Sequence, residues 1–258
     1  MSPFPAPAYP TGHGLLTGKK VLVTAAAGTG IGFATAKRCA EEGAVVAISD
    51  RHERRLAESA ERLAEVMGAA PVAIPCDVTD ETQVQHMFDA VGDLDVLVNN
   101  AGLGGTAELA EMTDEQWDRV LDVTLNGTMR CTREGLRRMR AQARGGAIVN
   151  NASVIGWRVQ GGQAKYAAAK AGVMALTRTA SVDAAAYNVR VNAVAPSLAM
   201  HENLAKVTTD ELLAELTSRE AFGRAAEPWE VANVIVFLAS DLASYLTGEI
   251  ISCSSQHP

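Results

Sequence analysis

Cysteine is scarce in this chain: Cys39, Cys76, Cys131 and Cys253 are widely separated, with no Cys-x-x-Cys pair among them. That spacing excludes a disulfide framework and a zinc or redox motif, and predicts buried, reduced thiols instead. Positive charge is also short, since 23 Lys and Arg stand against 30 Asp and Glu for a formal charge of −7. Such a chain lacks the basic face that a phosphate backbone requires, so nucleic acid is excluded as a partner, although a local basic pocket is not. No run of about 20 apolar residues suggests a membrane span. The start, MSPFPAPAYPTGHG, has four prolines but neither a basic region nor an apolar core, and does not read as a signal peptide. A cytoplasmic protein with no membrane partner is the expectation. No internal repeat or second-domain boundary interrupts the chain.

What is present suits one large α/β domain: 258 residues, 48% hydrophobic and 21% charged. Residues 1–14 read as an extended arm with no structure of its own, able to lie across a partner subunit, and residues 15–258 as the domain. From Lys20 the pattern alternates: KVLVTA, FATAKRCAEEG, AVVAISD, ERRLAESAERLAEVM, VAIPCDV. Short β-branched runs alternating with helices predict a parallel sheet covered on both faces. A helix at about 80–91 precedes the strand LDVLVNNAG, and a long helix from Asp114 to about Gln142 leads to the strand AIVNNAS. VRVNAVAPS reads as a sixth strand stopped by Pro196. Residues 198–223 then break the alternation beyond a strand's C-terminal end, with one short helix in DELLAELTSRE, and read as a substrate lid. A last helix, EPWEVANVIVFLASD, precedes a final strand in TGEIISCS.

Chemistry concentrates in SVIGWRVQGGQAKYAAAK. Ser153 is followed thirteen positions on by Tyr166, and Lys170 lies four further. The run AKYAAAKAGVMALTRTAS is rich in helix formers, so Tyr166 and Lys170 share a helical face. A phenol with an ordinary pKa of about 10 exchanges protons poorly at neutral pH, and a cation one turn away is expected to lower it. Ser153, at a strand end, can hydrogen-bond a substrate oxygen beside the tyrosine. Together the three suit proton transfer to a carbonyl or from an alcohol.

Upstream, the first strand runs into TAAAGTGIG, so Gly28, Gly30 and Gly32 stand where strand turns to helix and backbone amides can approach a pyrophosphate. The second strand ends in Asp50. Its carboxylate can accept hydrogen bonds from ribose hydroxyls and repel a 2′-phosphate, which favours NAD over NADP. Arg51 next to it could instead pair with such a phosphate.

The order and spacing of these features resemble the short-chain dehydrogenase/reductase family from Lys19 to about Gly248. The matching motifs are the glycine loop, CDV at 76–78, NNAG at 99–102, the spaced Ser153, Tyr166 and Lys170, and VNAVAP at 191–196. The resemblance implies a Rossmann-like doubly wound sheet of seven parallel strands and a homotetramer paired through the 114–142 and Tyr166 helices. It implies Tyr166 as general acid/base, Lys170 as holder of the nicotinamide ribose, and Ser153 as polariser of the substrate oxygen. It assigns the cofactor to Thr24, Gly28, Gly30, Ile31, Gly32, Asp50 and Arg51, to Asp77 and Val78 beside the adenine, to Asn100, Ala101 and Gly102, and to Pro196 through Ala199 beside the nicotinamide. No metal site is implied.

The chain departs from the family pattern in three places. TAAAGTGIG is one residue longer than TGxxxGIG and has alanine where the first glycine is expected, so Gly28 is expected to supply the flexibility along a shifted path. The family's catalytic asparagine falls at Thr124. Asn126, two residues on, lies about 200° around an α-helix, so Thr124 is expected to hold a water through its own hydroxyl. The usual PG after the sixth strand is Pro196-Ser197, and the usual VDGG is replaced by SCSSQHP. His201, Trp157 and Arg158 are further pocket candidates, an indole offering an apolar wall and a guanidinium an anion site.

More narrowly, TAAAGTGIG, NNAGLGG, NNASVIGWR, FGRAAEPWEV and the ending SYLTGEIIS with QHP are similar to actinobacterial reductases of sterol ring C/D catabolism. The implied substrate is a hydroindanone coenzyme A thioester, with NAD-dependent interconversion of a ring hydroxyl and ketone. Two alternatives stand beside it: a 3-oxoacyl thioester reductase acting on a linear chain, and an NAD-binding scaffold or sensor with little catalysis.

Overall fold

In a computed structural model residues 4–200 and 209–256 are described. Seven strands, β1 (Lys20–Val23), β2 (Val45–Asp50), β3 (Val72–Pro75), β4 (Val96–Asn99), β5 (Gly146–Asn151), β6 (Val189–Pro196) and β7 (Ile250–Cys253), form one sheet in the order β3-β2-β1-β4-β5-β6-β7. Every pairing is parallel. The central strands read as continuous apolar runs because both of their faces are covered. Val21, Val23, Val46, Ile48, Val96 and Val98 face one layer, and Leu22, Ala47, Ile74, Leu97 and Ile148 face the other.

The first layer holds α1 (Ile31–Glu41), α2 (Glu53–Met67) and a last helix, Pro228–Ala239, through side chains such as Phe33, Leu56 and Ile235. The second holds α3 (Glu81–Val91), α5 (Gly127–Gln142) and α6 (Ala164–Ala185) through Phe88, Met139 and Ala180. Between α3 and α5 lies α4 (Asp114–Leu121), opened by a capping box of Thr113 and Gln116. The stretch read as a lid carries α7 (Asp210–Ser218), and Pro228–Ala239 is α8, with proline in its first turn. The strand order reverses between β1 and β4. In open parallel sheets a crevice forms there, beyond the strands' carboxyl ends.

One expectation about elements needs correction. The stretch read as one long helix, 114–142, is broken by a five-residue π-helical segment, Asp122–Asn126, which widens the helix and turns Thr124 fully inward. The N-terminal arm has neither helix nor strand over the described residues, but it is tied to its own chain. The Tyr9 hydroxyl donates to Glu41 at 2.7 Å and accepts from Lys37 at 3.1 Å, while its ring meets Trp229 edge-on at 5.4 Å. The Glu42 carboxylate accepts from the amides of His13 and Leu15. At the start of the arm, the Phe4 carbonyl accepts from Arg224 at 2.9 Å and its ring lies 5.6 Å from that of Phe222. Among the described residues, no helix is long and apolar enough to cross a membrane.

Candidate active site

The loop after β1 builds the floor of the crevice. Ala25 itself takes the left-handed conformation, with φ +50°, at the position where glycine was expected, and Gly28 adds a second positive φ of +96°. Gly28 takes the left-handed conformation expected of it, and Ala25 shares the turn. Left-handed alanine costs roughly 1–2 kcal/mol, offset here from the loop after β4: the Ala25 carbonyl accepts from Asn100 Nδ2 at 2.9 Å, and Thr24 Oγ1 accepts from the amides of Asn100 and Ala101. The same closeness fixes Gly32, where a Cβ would stand 2.3 Å from the Ala25 oxygen. Gly30 caps α1 without a side-chain hydrogen bond, and the first turn, starting at Ile31, carries no acid. Its free amides suit a pyrophosphate.

Two α2 residues that sequence reasoning missed hold the longer loop. Ser59 Oγ accepts from the Gly28 amide at 3.0 Å, and Arg62 donates to the Gly28 carbonyl at 3.1 Å while its guanidinium lies 3.8 Å from the centre of the Phe33 ring. Ser59 left a trace in the sequence, being a small polar residue on the apolar stripe between Leu56 and Leu63.

Beside the loop a pocket of about 160 Å³ is bordered by Asp50, Arg51, Asp77, Val78, Ala101 and Gly102, among others. Asp50, nearly buried, accepts from the His52 amide at 2.9 Å and from Ala27 at 3.3 Å. Asp77 is turned onto Thr79, whose amide and hydroxyl both donate to it. A carboxylate at the end of β2, an apolar shelf at Val78 and free helix amides are the surfaces a dinucleotide needs, and the residues present fit that group.

Across the crevice, a cleft of about 430 Å³ brings together Ser153, Tyr166, Asn151, Pro196 and Ala199. Ser153 Oγ donates weakly to the Pro196 carbonyl at 3.4 Å and accepts from the Ile155 amide at 3.3 Å, which ties the end of β5 to the end of β6. Tyr166 and Lys170 stand one turn apart on α6. The Lys170 ammonium is buried, donates to the Asn151 carbonyl at 2.5 Å, and lies 5.5 Å from the centre of the Tyr166 ring.

Burial pushes Tyr166 above its ordinary value, and the Ser153 hydrogen bond pulls it down without offsetting that; burial also pushes Lys170 down to about 8. The net direction is upward, opposite to the lowering expected from a cation one turn away. In the chain itself, removing the charged form from water is the largest influence on the phenol, ahead of the Ser153 hydrogen bond. Tyr166 is therefore a protonated acid at neutral pH.

The Thr124 hydroxyl, expected to hold a water, is turned onto the backbone of Leu103. It accepts from the Leu103 amide at 3.0 Å and donates to the Leu103 carbonyl at 3.2 Å, with no exposed surface, so it clamps the loop that follows β4. Asn126 turns away to donate to Asp122 at 3.1 Å. Gly102, in the clamped loop, lies against the lysine, so that a Cβ there would come into contact with Lys170 Nζ at 3.4 Å. Asn100 Oδ1 accepts from Asn151 Nδ2 at 2.9 Å and so links this loop to β5.

Of the other candidates, Trp157 is half exposed and Arg158 faces the tail after β7. His201 lies outside the described residues. Burial pushes the thiols away from the reactive thiolate form, Cys39 and Cys76 up to about 12 and the partly exposed Cys253 to about 11.

A family model described as enoyl-(acyl carrier protein) reductase matches residues 25–255. The chain is 60% identical over 257 residues to the (5R,7aS)-5-hydroxy-7a-methyl-1-oxo-2,3,5,6,7,7a-hexahydro-1H-indene-carboxyl-CoA reductase of Mycobacterium tuberculosis, covering 98% of each chain. It is 42% identical to the 3-oxoacyl-(acyl-carrier-protein) reductase of Thermotoga maritima, covering 92% of this chain and 96% of that one. A crystal structure of a short chain dehydrogenase from Mycobacterium smegmatis superposes with a TM-score of 0.86 at 55% identity, covering 98% of this chain and 99% of the other.

Proposed function

Because the chain belongs to the short-chain dehydrogenase/reductase family and is an oxidoreductase of CH–OH and C=O groups, we propose that it reduces a ring ketone on a sterol-derived hydroindanone coenzyme A thioester, using NAD(H). The observation that carries the substrate class is the 60% identity, over nearly the full length of both chains, to a reductase named for such a thioester. The family uses a nicotinamide dinucleotide, which when bound supplies or accepts the hydride. NAD is favoured because the Asp50 carboxylate at the end of β2 can accept from both ribose hydroxyls and would repel a 2′-phosphate.

The residues of the cleft divide the remaining work. Tyr166, kept protonated by burial, gives its proton to the ketone oxygen as the carbon receives hydride, and the C=O becomes CH–OH. Ser153, whose bond to Pro196 is long, turns its hydroxyl to the same oxygen and holds it. The buried Lys170 ammonium stabilises the phenolate left on Tyr166. In the alcohol-to-ketone direction the same groups run in reverse.

The second reading, reduction of a linear 3-oxoacyl thioester, draws support from the 42% identity to the Thermotoga maritima enzyme. The sensor reading is weakened by Ser153 and Tyr166 sharing one cleft, with the buried Lys170 one helical turn from the tyrosine. Assay of NADH and NADPH oxidation against cyclic and linear keto thioesters separates the first two. Turnover of the hydroindanone thioester with NADH, and little of the linear one, is the expected result; the opposite preference would move the assignment to the linear substrate.

A further inference from the structure

The tail after β7 lies against the base of the lid. The Ala221 amide donates to the Ser255 carbonyl at 2.8 Å, and Glu220 bridges antiparallel to Gln256. Glu220 is buried, and its oxygens accept from Ser197 Oγ, the Leu198 amide, Ser255 Oγ and Gln256 Nε2. Gln256 is held from the other side as well, its Oε1 accepting from the Arg158 guanidinium at 2.6 Å. The amide orientation follows from chemistry, since reversing it would set NH₂ against a guanidinium and C=O against a carboxylate. In this orientation one Nε2–H bonds Glu220 at 2.9 Å, and the other has no acceptor among the described residues. Gln256 nevertheless lines the same cleft as Ser153 and Tyr166.

We infer that Gln256 is a specificity-determining residue, whose free N–H donates to a carbonyl on the part of a bicyclic substrate remote from the reacting carbon. This rests on the proposed function. A hydroindanone thioester of the proposed class carries a second ring ketone away from the carbon that bears the hydroxyl, and a simple linear 3-oxoacyl thioester has no group there. Ile155, Leu198, Ala199 and Leu216 give the cleft apolar walls for the hydrocarbon body between the two oxygens. Gln160 also lines the cleft, but among the described residues none of its side-chain atoms is held by a hydrogen bond, whereas Gln256 is fixed from both sides and gives up little freedom on binding.

The test is kcat/KM for wild type and Gln256→Met on two hydroindanone coenzyme A thioesters, one with the remote ring ketone and one with CH₂ in its place. Wild type is expected to prefer the ketone-bearing thioester by roughly 5–10-fold, the worth of one neutral hydrogen bond. Gln256→Met should bring the ratio within about twofold of unity. A purely structural role would lower both rates and keep the ratio, which would overturn the assignment. So would a wild type with no preference, and that result needs no variant. Should Gln256→Met fail to fold, Arg158→Met frees the same amide and should lower the ratio about threefold or more; an unchanged ratio would overturn the assignment. Wild-type turnover without preference leaves the proposed function standing, whereas no turnover of either bicyclic thioester overturns both.

Discussion

At the scale of the residue, the controlling fact is desolvation. Lys170 was legible as a cation one turn from Tyr166, and its burial was not, because burial depends on Asn151 and Gly102, which reach it from β5 and the loop after β4. With Lys170 near 8 and Tyr166 above its usual value, ketone reduction has a defined pH dependence. Below about 8 the lysine is charged and can hold the phenolate; as pH rises through that value the charge is lost, so kcat/KM for reduction should fall. A profile of kcat/KM against pH should be flat from about 6 to 7.5 and decline above about 8. A profile still flat well above 9 would contradict the role given to Lys170. Thr124 makes a different case. Its place opposite the family asparagine was legible, but its bonding to Leu103 depends on the π segment and was not. Thr124→Ala should cost about 1–3 kcal/mol of stability by leaving Leu103 unsatisfied, seen as a lower denaturation midpoint, and should reduce turnover less than Tyr166→Phe does. Equal losses of turnover would place Thr124 in the chemistry.

At the scale of the element, the glycine loop shows where pattern and geometry part. The extra residue and the alanine could be read directly, and a shifted path was the reasonable inference. What decided the path was outside the motif: Asn100, just after β4, holds Ala25 left-handed, and Ser59 and Arg62 from α2 hold Gly28. Ala25→Gly relieves the strain of roughly 1–2 kcal/mol and loosens the unfolded chain by about 0.4–1 kcal/mol. The net gain should be about 0.5 kcal/mol, a rise in Tm of about 1–2 °C by calorimetry. A fall in Tm would mean that Ala25 is not strained. The break in the 114–142 helix was hidden for a related reason. One inserted residue leaves the apolar stripe readable on either side, and the π segment emerges only when α4 and α5 are placed against different neighbours.

At the scale of the whole molecule, the seven-stranded parallel sheet was the most legible feature, because fully buried strands such as VLV and VLVN are apolar on both faces and alternate with amphipathic helices. The arm was the least legible. Its partners, Glu41, Trp229 and Arg224, lie far along the chain, and nothing in four prolines announces them. The tail was flagged only as a departure from the family ending, while its bonds to Arg158 and Glu220 needed the fold. Assembly belongs to this scale too. Pairing through the 114–142 region and α6, where Val182 stands 75% exposed, should give a homotetramer by light scattering at micromolar concentration. A monomeric mass would remove that proposal.

The most direct measurement is NADH oxidation with the hydroindanone keto thioester by wild type and Tyr166→Phe, with NADH affinity followed by fluorescence in both. The account predicts wild-type turnover, a loss of about 100-fold or more in the variant, and cofactor affinity little changed. Comparable turnover by the variant would contradict the assignment of the proton to Tyr166.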